Sequence, residues 1–224
     1  MARRGAPAGT LIIMVREPRL GAVKTRLAGE IGAVAATHFY RNVTANLIRR
    51  LASDPRWRTV LAVAPDPAAS ARYWPAKVAR VAQGTGDLGE RMERLLRSQG
   101  SAPAVLIGSD IPGVRPSHIA AAFTLLRRND AVLGPAEDGG FWLVGLKSLP
   151  RLDGLFRAVR WSGPQTFGDT LANLAGRNVG FAAQLSDVDD GASWRRCAHL
   201  GARITPPPLS QTGMVEPRAV SRSR

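Results

Sequence analysis

Short apolar runs alternate with helix-like patterns along most of the chain, and this alternation constrains the fold more than any other feature. The runs have the length of buried strands, and the segments between them carry apolar residues at helical spacing. An apolar run, a helix and another apolar run in succession predict parallel strands joined by helical crossovers. The predicted strands are Thr10–Val15, Thr59–Ala64, Val78–Ala82, Ala104–Gly108, Ala131–Gly134, Phe141–Leu146 and Val179–Ala183.

The intervening segments predict helices around residues 39–51, 90–99, 118–128 and 165–175, with Ser117 as the N-cap of the third. Only a short loop ending in Gly139-Gly140 precedes the sixth strand, so that strand is predicted to run antiparallel. We therefore expect an α/β fold: a mixed, mostly parallel sheet with helices on both faces. Such sheets bind ligands beyond the carboxyl ends of their strands, so functional residues should directly follow the apolar runs.

The 224 residues suffice for one α/β domain, which we place at residues 10–203. Residues 1–9 and the tail at 204–224, which contains three consecutive prolines, are expected to be flexible. Apolar stretches are too short for a membrane span or a signal peptide, so we expect a cytoplasmic protein. A single cysteine, Cys197, excludes a disulfide framework and a cysteine-based zinc site, and the three histidines lack metal-binding spacing.

The formal net charge is +14, and most of it lies between the two termini. A basic body predicts anionic partners: nucleic acid, acidic lipid or phosphorylated small molecules. One interpretation is therefore a basic nucleic-acid-binding domain without catalysis. Basic and aromatic residues do not interleave on the strands and no nucleic-acid-binding motif is present, so we consider nucleic acid the less favoured partner.

The loop after the first strand is the most cationic segment near a predicted strand end. Arg16, Arg19, Lys24 and Arg26 fall within eleven residues around Gly21. Backbone amides at Gly21 and at the following helix, together with Lys24 and Arg26, would make a cradle for phosphates. The spacing is not that of a Walker A motif, and the alternative is a solvated loop that happens to be basic.

A glycine-rich loop follows the third strand. Gly84, Gly86 and Gly89 match the GxGxxG dinucleotide pattern, but that fingerprint belongs after a first strand, and Asp87 would repel a pyrophosphate. We prefer a loop at which a base and a ribose approach the backbone. The alternative is an ordinary turn into a helix.

Two carboxylates follow strands four and five. Asp110, in a loop fixed by Pro112, suits a metal ligand, since Mg²⁺ is typically held by one or two carboxylates together with substrate phosphates. Asp138 is a candidate catalytic residue, beside two glycines that permit close approach of a substrate. The alternatives are an ion pair of Asp110 with Lys24 or Arg26, and a plain Asp-Gly turn at Asp138.

Two later segments carry further candidates. The acidic run Ser186–Asp190 either supplies a second metal ligand or stabilises a helix N-terminus. Trp161 and Ser162, with Arg160, either line an acceptor pocket or pack as a lid over the core.

These elements together resemble a known family. The segments VREPRLGAVKTRLA, HFYRN, QGTGDLGERM, LIGSDIPG, LGPAEDGGFWLVGL and RWS occur in that order between about residues 15 and 162. They resemble the radical-SAM/selenodomain-associated transferase family of the GT-A-like nucleotide-diphospho-sugar transferase superfamily. That family is similar to molybdenum-cofactor guanylyltransferase and 2-phospho-lactate guanylyltransferase.

The resemblance implies a GT-A fold, a nucleotide-phosphate donor and a divalent cation, Mg²⁺ or Mn²⁺. It places Gly21, Lys24 and Arg26 at phosphates, with Arg16 where the family has Lys. It also places Gln83, Gly86 and Asp87 near the base and ribose. Asp110 is implied as the metal ligand and Asp189 as a second one. The acidic run lacks the Pro-Glu-Asp that follows it in the family, and Gly163 replaces a Thr.

Two reactions fit these features: glycosyl transfer from a nucleotide sugar, and nucleotidyl transfer from a nucleoside triphosphate with release of pyrophosphate. The basic first loop favours the second reaction and the family resemblance favours the first. The sequence leaves the acceptor, the sugar or base, and the oligomeric state open.

Overall fold

The computed structural model describes residues 7–147 and 154–199, with side chains only to residue 196 at the C-terminal end. The predicted tail at 204–224, and residues 1–6 of the predicted N-terminal segment, lie outside these ranges. Among the described helices, none combines the length and apolar character that crossing a membrane requires.

A seven-stranded sheet forms the centre of the described chain, in the order β3-β2-β1-β4-β6-β5-β7. Strands β1 to β4 pair in parallel, and β5 pairs in parallel with β7. Strand β6 runs antiparallel to both of its neighbours, as the short loop before it predicted. The strands are β1 (Thr10–Arg16), β2 (Arg58–Ala64), β3 (Ala79–Ala82), β4 (Ala104–Ile107), β5 (Ala131–Pro135), β6 (Phe141–Leu146) and β7 (Val179–Phe181).

Six α-helices accompany the sheet in the part of the chain that the structure describes. They are α1 (Thr25–Ile31), α2 (Ala33–Ala52), α3 (Leu88–Arg97), α4 (Pro116–Leu126), α5 (Thr166–Ala172) and α6 (Gly191–His199), and a 3₁₀ turn spans Asp66–Ser70. The prediction of Ser117 as the N-cap of α4 is wrong. The helix begins at Pro116, whose fixed φ suits a first helical position, and the backbone N–H of Arg115 donates to His118 Nδ1 at 3.2 Å.

Apolar side chains cover both faces of the sheet, as predicted. Leu11 and Ile13 of β1 point to one face, where they pack in a cluster with residues of α2 and α4. Ile12 points to the opposite face and packs in a cluster with Met92 and Leu96 of α3. This alternation follows from the two-residue period of a strand, and it requires a helical layer on each side.

A smaller apolar cluster fixes the segment that precedes α6. Val188 is 3% exposed and packs in a cluster with Leu27 of α1 and with Phe39 and Val43 of α2. The backbone N–H of Gly191 donates to the Glu30 carboxylate at 2.9 Å, which ties the start of α6 to α1. The chain on either side of Val188 is therefore held against the first two helices.

Replacing Val188 with Ala should lower the free energy of unfolding by roughly 2 kcal/mol, since it removes two buried methyl groups and leaves a cavity. Val43→Ala is the matched control, because it deletes the same group from the same cluster on α2. Denaturant unfolding should give similar losses for both variants. Hydrogen exchange should show faster local opening around residues 187–190 in Val188→Ala than in Val43→Ala. Equal exchange there would contradict the anchoring role of Val188.

Candidate functional site

A cleft of about 590 Å³ opens at the carboxyl edge of the sheet. It lies where the ligand rule for parallel sheets places it, beyond the ends of β1 and β4. Most of the site residues predicted from the sequence line it. They are Arg16, Lys24, Arg26, Gln83, Asp110, Asp138 and Asp189.

Lys24 is a charged group of the cleft with a buried side chain, only 5% exposed. Its ammonium donates to Asp110 Oδ2 at 3.0 Å and also to Asp189 Oδ1. Lys24 adopts a left-handed backbone conformation, φ 50° and ψ 48°, directly before α1. The ion pair between Lys24 and Asp110 that the sequence left open as an alternative is thus present in the structure.

Three carboxylates surround this position: Asp110, Asp187 and Asp189, which we call the acidic triad. One oxygen from each lies within 4.8 Å of the other two. Asp110 follows the buried strand β4, and its backbone carbonyl accepts from the N–H of Val188 at 3.4 Å. Because Val188 points into the core, its two neighbours are brought to the same side, toward Asp110.

Burial and neighbouring charges shift the pKa values of Asp187 and Lys24. Burial raises the pKa of Asp187 to about 7, and the neighbouring carboxylates of Asp189 and Asp110 act in the same direction. Burial alone would lower the pKa of Lys24. The carboxylates of Asp110 and Asp189 outweigh it, so the pKa of Lys24 is raised and the ammonium stays protonated.

A tyrosine supports the base of the cleft. The hydroxyl of Tyr40, on α2, accepts from the backbone N–H of Arg16 at 2.8 Å and shares a hydrogen bond with Ser109 Oγ at 3.1 Å. Burial raises the pKa of Tyr40. This contact joins the end of β1 to the residue before Asp110, and thereby fixes the two loops that carry Lys24 and Asp110.

The acidic triad fits a divalent cation by the chemistry of its donors. Carboxylate oxygens are the hard ligands that Mg²⁺ and Mn²⁺ prefer, and three converge on one point. A cation, the ammonium of Lys24, already bonds two of the three carboxylates. The position therefore attracts positive charge independently of any assumption about the protein's activity.

Gln83 holds two strands together beside the cleft. It is 3% exposed, and its Nε2 donates to the backbone carbonyls of Val15 and Ala62 at 3.1 and 2.9 Å. Its Oε1 accepts from Arg91 Nη1 at 3.0 Å. The amide thus joins the ends of β1 and β2, while the predicted contact of Gln83 with a base or ribose stays a prediction.

Asp87 caps α3. Its carboxylate accepts from the Glu90 N–H at 2.8 Å, and the Asp87 N–H donates to Glu90 Oε2 at 2.8 Å, a reciprocal capping box. Gly86 has φ 102°, and a Cβ there would lie 2.2 Å from the Glu90 carboxylate. Neither Asp87 nor Gly86 lines the cleft, and the turn into a helix considered from the sequence describes both residues. Their proposed contacts with a nucleotide remain predictions.

The other predicted residues divide between the cleft and its surroundings. Gly21 is exposed and lies outside the cleft lining, with φ 74° in the turn after β1. Asp138 lines the cleft, is exposed, and accepts from the Gly140 N–H at 2.9 Å, so the Asp-Gly turn is formed around a carboxylate that faces the cavity. Arg160 pairs with Asp169 at 2.8 Å and does not line the cleft.

An aromatic wall stands on another side of the cleft. Phe141 and Trp161 line it, with ring centroids 6.3 Å apart, and Trp161 also packs on Phe156 at 5.8 Å. Gly89 is required beneath this wall, since a Cβ there would lie 2.7 Å from Phe156 Cβ and 2.9 Å from Trp161 Cζ2. Ser162, next to Trp161, has φ 61° and also lines the cleft.

The sequence analysis did not commit to Asp187, and it missed Tyr40 and Arg91. A signal for Asp187 was present in the sequence, because residues two apart in an extended segment lie on the same side and Asp187 is two residues from Asp189. Tyr40 had no such signal, because its role depends on α2 packing beside β1.

Comparison of the fold with solved structures agrees with the predicted fold class. A crystal structure described as that of a candidate nucleotide-diphospho-sugar transferase from Desulfovibrio desulfuricans G20 superposes with a TM-score of 0.79. The two chains are 26% identical, over 89% of this chain and 90% of that one. The sheet with its helices on both faces is therefore an α/β, GT-A-like fold.

Two more distant structures share the fold. The inositol-1-phosphate CTP transferase from T. maritima matches with a TM-score of 0.53 at 13% identity, over 84% of this chain and 92% of that one. The 4-diphosphocytidyl-2C-methyl-D-erythritol synthase from Anaerococcus prevotii DSM 20548 matches with a TM-score of 0.53 at 9% identity, over 85% and 97%. At these identities the likeness concerns the fold alone.

A search among curated proteins finds no match. A family model described as "Uncharacterized protein conserved in bacteria (DUF2064)" matches residues 47–163, slightly more than half of the chain. This range includes β4, the loop that carries Asp110, and the turn that carries Asp138. The chain belongs to the DUF2064 family.

Proposed function

We propose that the protein is a metal-dependent transferase that uses a nucleotide-phosphate donor, with nucleotidyl transfer from a nucleoside triphosphate as its reaction. The proposal rests on one observation: acidic and basic side chains line the same cleft. The acidic triad and the cations Lys24, Arg26 and Arg16 all line it. Anionic phosphates and a divalent cation need such complementary groups side by side.

The acidic triad would hold Mg²⁺ or Mn²⁺. When bound, the cation would neutralise negative charge on the phosphate oxygens and make the α-phosphorus more electrophilic. Lys24 and Arg26 bind the phosphate chain, and Arg16, at the end of β1, adds a third cation beside it. Charge-assisted hydrogen bonds from these side chains to phosphate oxygens orient the α-phosphate toward the acceptor.

With a hydroxyl as the acceptor, the reaction also requires a group that takes the proton of that hydroxyl. The acceptor oxygen forms a bond to the α-phosphorus while the bond from that phosphorus to the bridging oxygen breaks, and pyrophosphate leaves with the bonding pair. Asp138 is our candidate for the base, because its exposed carboxylate lines the same cleft as the triad. The aromatic wall of Phe141 and Trp161, with Ser162, is the proposed acceptor side.

Glycosyl transfer from a nucleotide sugar is the second candidate, favoured by the description of the Desulfovibrio structure. It would break the bond between the sugar and the phosphate, and leave a nucleoside diphosphate instead of pyrophosphate. Incubation with CTP or GTP, and separately with nucleotide sugars, distinguishes the two reactions by the product released. The basic loop after β1 supports the triphosphate, which carries more charge on its phosphates.

The Asp110→Asn variant should lose metal-dependent nucleotide binding, because the amide keeps the shape of the carboxylate but not its charge. Titration calorimetry with Mn²⁺ and CTP or GTP measures the effect. We expect at least a tenfold loss of affinity. Since Lys24 pairs with Asp110, the variant should also melt at a lower temperature, and stability alone does not distinguish a ligand from an ion-pair partner.

Two further variants serve as controls for this test. Asp54→Asn removes a carboxylate that pairs with Arg56 at 2.7 Å outside the cleft, and should bind like the wild type. The double variant Lys24→Met with Asp110→Asn removes both partners of the buried pair and should regain part of the lost stability. Metal dependence that persists in Asp110→Asn would contradict the proposed role of Asp110.

Asp87→Ala should lower the free energy of unfolding by about 1 kcal/mol, through loss of the α3 cap. Asp87→Asn is the matched control, since Asn also caps helices well and should preserve stability. If the charge of Asp87 also contacts a nucleotide, Asp87→Asn should weaken CTP or GTP binding at unchanged stability. Equal affinity of the Asn variant and the wild type would restrict Asp87 to capping.

A further inference from the structure

The geometry points to a cation exchange at the acidic triad: we infer that Lys24 occupies the position of the divalent cation until that cation binds, and is then released to the donor phosphates. This inference rests on the proposed function, but its central step concerns Lys24 and a metal ion alone. It assigns Lys24 two successive partners instead of one.

The first argument is placement. The Lys24 ammonium bonds Asp110 Oδ2 at 3.0 Å and also Asp189 Oδ1, which are two of the three carboxylates that could ligate a metal. A metal ion and an ammonium bound to the same two carboxylates would lie close together, and their positive charges repel each other. The ion and Lys24 therefore compete for the same oxygen atoms.

Second, holding Lys24 between the two carboxylates costs free energy. Its side chain is only 5% exposed, and an ammonium removed from water requires compensation by opposite charge. The backbone of Lys24 has φ 50° and ψ 48°, a left-handed conformation that residues other than Gly and Asn seldom adopt. Both costs are met by the two carboxylates, so loss of these partners should free the side chain.

The third argument is the kind of cation. The chain has 28 Arg and only three Lys: Lys24, Lys77 and Lys147. An ammonium is a compact point charge on a flexible stem, whereas a guanidinium is a broad planar group. Among the cations of the cleft, Lys24 therefore best resembles a bound metal ion and can swing most readily to another anion.

The exchange has a direct consequence for binding order. A metal ion that enters the triad alone must displace Lys24 from the two carboxylates that compensate its charge. When phosphates are present, Lys24 gains a partner as the metal ion takes its place. Metal and nucleotide should then favour each other's binding, which is a coupling free energy between two adjacent sites.

The test compares Mn²⁺ binding by the wild type and by Lys24→Met, measured by electron paramagnetic resonance without nucleotide. Met keeps the length of the side chain and removes the competing charge. We expect the variant to bind Mn²⁺ at least tenfold more tightly than the wild type. Equal or weaker binding by the variant, or binding by neither protein, would overturn the exchange.

A second measurement uses the unaltered protein, and so does not depend on how well the variant folds. Reductive methylation followed by mass spectrometry reports the reactivity of each lysine, and the exposed Lys77 and Lys147 serve as internal controls. Without metal, Lys24 should be protected. Added Mn²⁺ should increase its methylation severalfold and leave the other two lysines unchanged. Unchanged protection of Lys24 at saturating Mn²⁺ would overturn the exchange.

These two experiments, together with calorimetry of nucleotide binding, separate this inference from the proposed function. If Mn²⁺ releases Lys24 but neither CTP, GTP nor a nucleotide sugar binds, the exchange stands and the nucleotide-donor proposal fails. If nucleotides bind with Mn²⁺ while Lys24 stays protected, the donor proposal stands and the exchange fails.

Discussion

The contact of Lys24 with Asp110 and Asp189 connects three segments that are far apart in the chain, separated by 86 and 165 residues. Each segment is fixed by a different part of the fold. Strand β1 leads into the loop of Lys24, strand β4 delivers Asp110, and the buried Val188 sets the position of Asp189. At this edge of the sheet the carboxylates of Asp110 and Asp189 compensate the charge of Lys24, which would be costly to bury alone.

Parallel pairing of β1 with β4 explains why this edge could be predicted. The register aligns Ile13 with Ile107, where β4 ends, and β1 continues in the same direction to Arg16, so the loops that follow both strands leave the sheet at the same edge. The apolar runs and their order were sufficient to predict the sheet, the antiparallel β6 and the residues that follow β1 and β4. The sequence did not determine, for the residues of each loop, whether they bind a ligand or only stabilise the local structure. Asp87 is a good example, since its carboxylate caps α3 in the structure and any ligand contact would be additional to that task.

Other features could not be predicted because they depend on packing between distant elements. Tyr40 lies under the cleft only because α2 packs beside β1, and Asp187 joins the triad only because Val188 enters the cluster of α1 and α2. A helix was expected after the basic loop, but the bounds of the short helix α1 were not predicted, since seven residues after a glycine-containing loop give little periodicity. The N-cap of α4 shows the same limit for local signals, since it is Arg115 and not the predicted Ser117.

The central claim is that the acidic triad is a metal site from which Lys24 is displaced toward phosphate. A crystal structure with Mn²⁺ and a non-hydrolysable analogue of CTP or GTP, with data collected at the manganese absorption edge, tests this most directly. We expect an anomalous peak coordinated by Asp110, Asp187 and Asp189, with the Lys24 ammonium bonded to a phosphate oxygen. A peak elsewhere, or a Lys24 still paired with Asp110 and Asp189 beside a bound nucleotide, would contradict it.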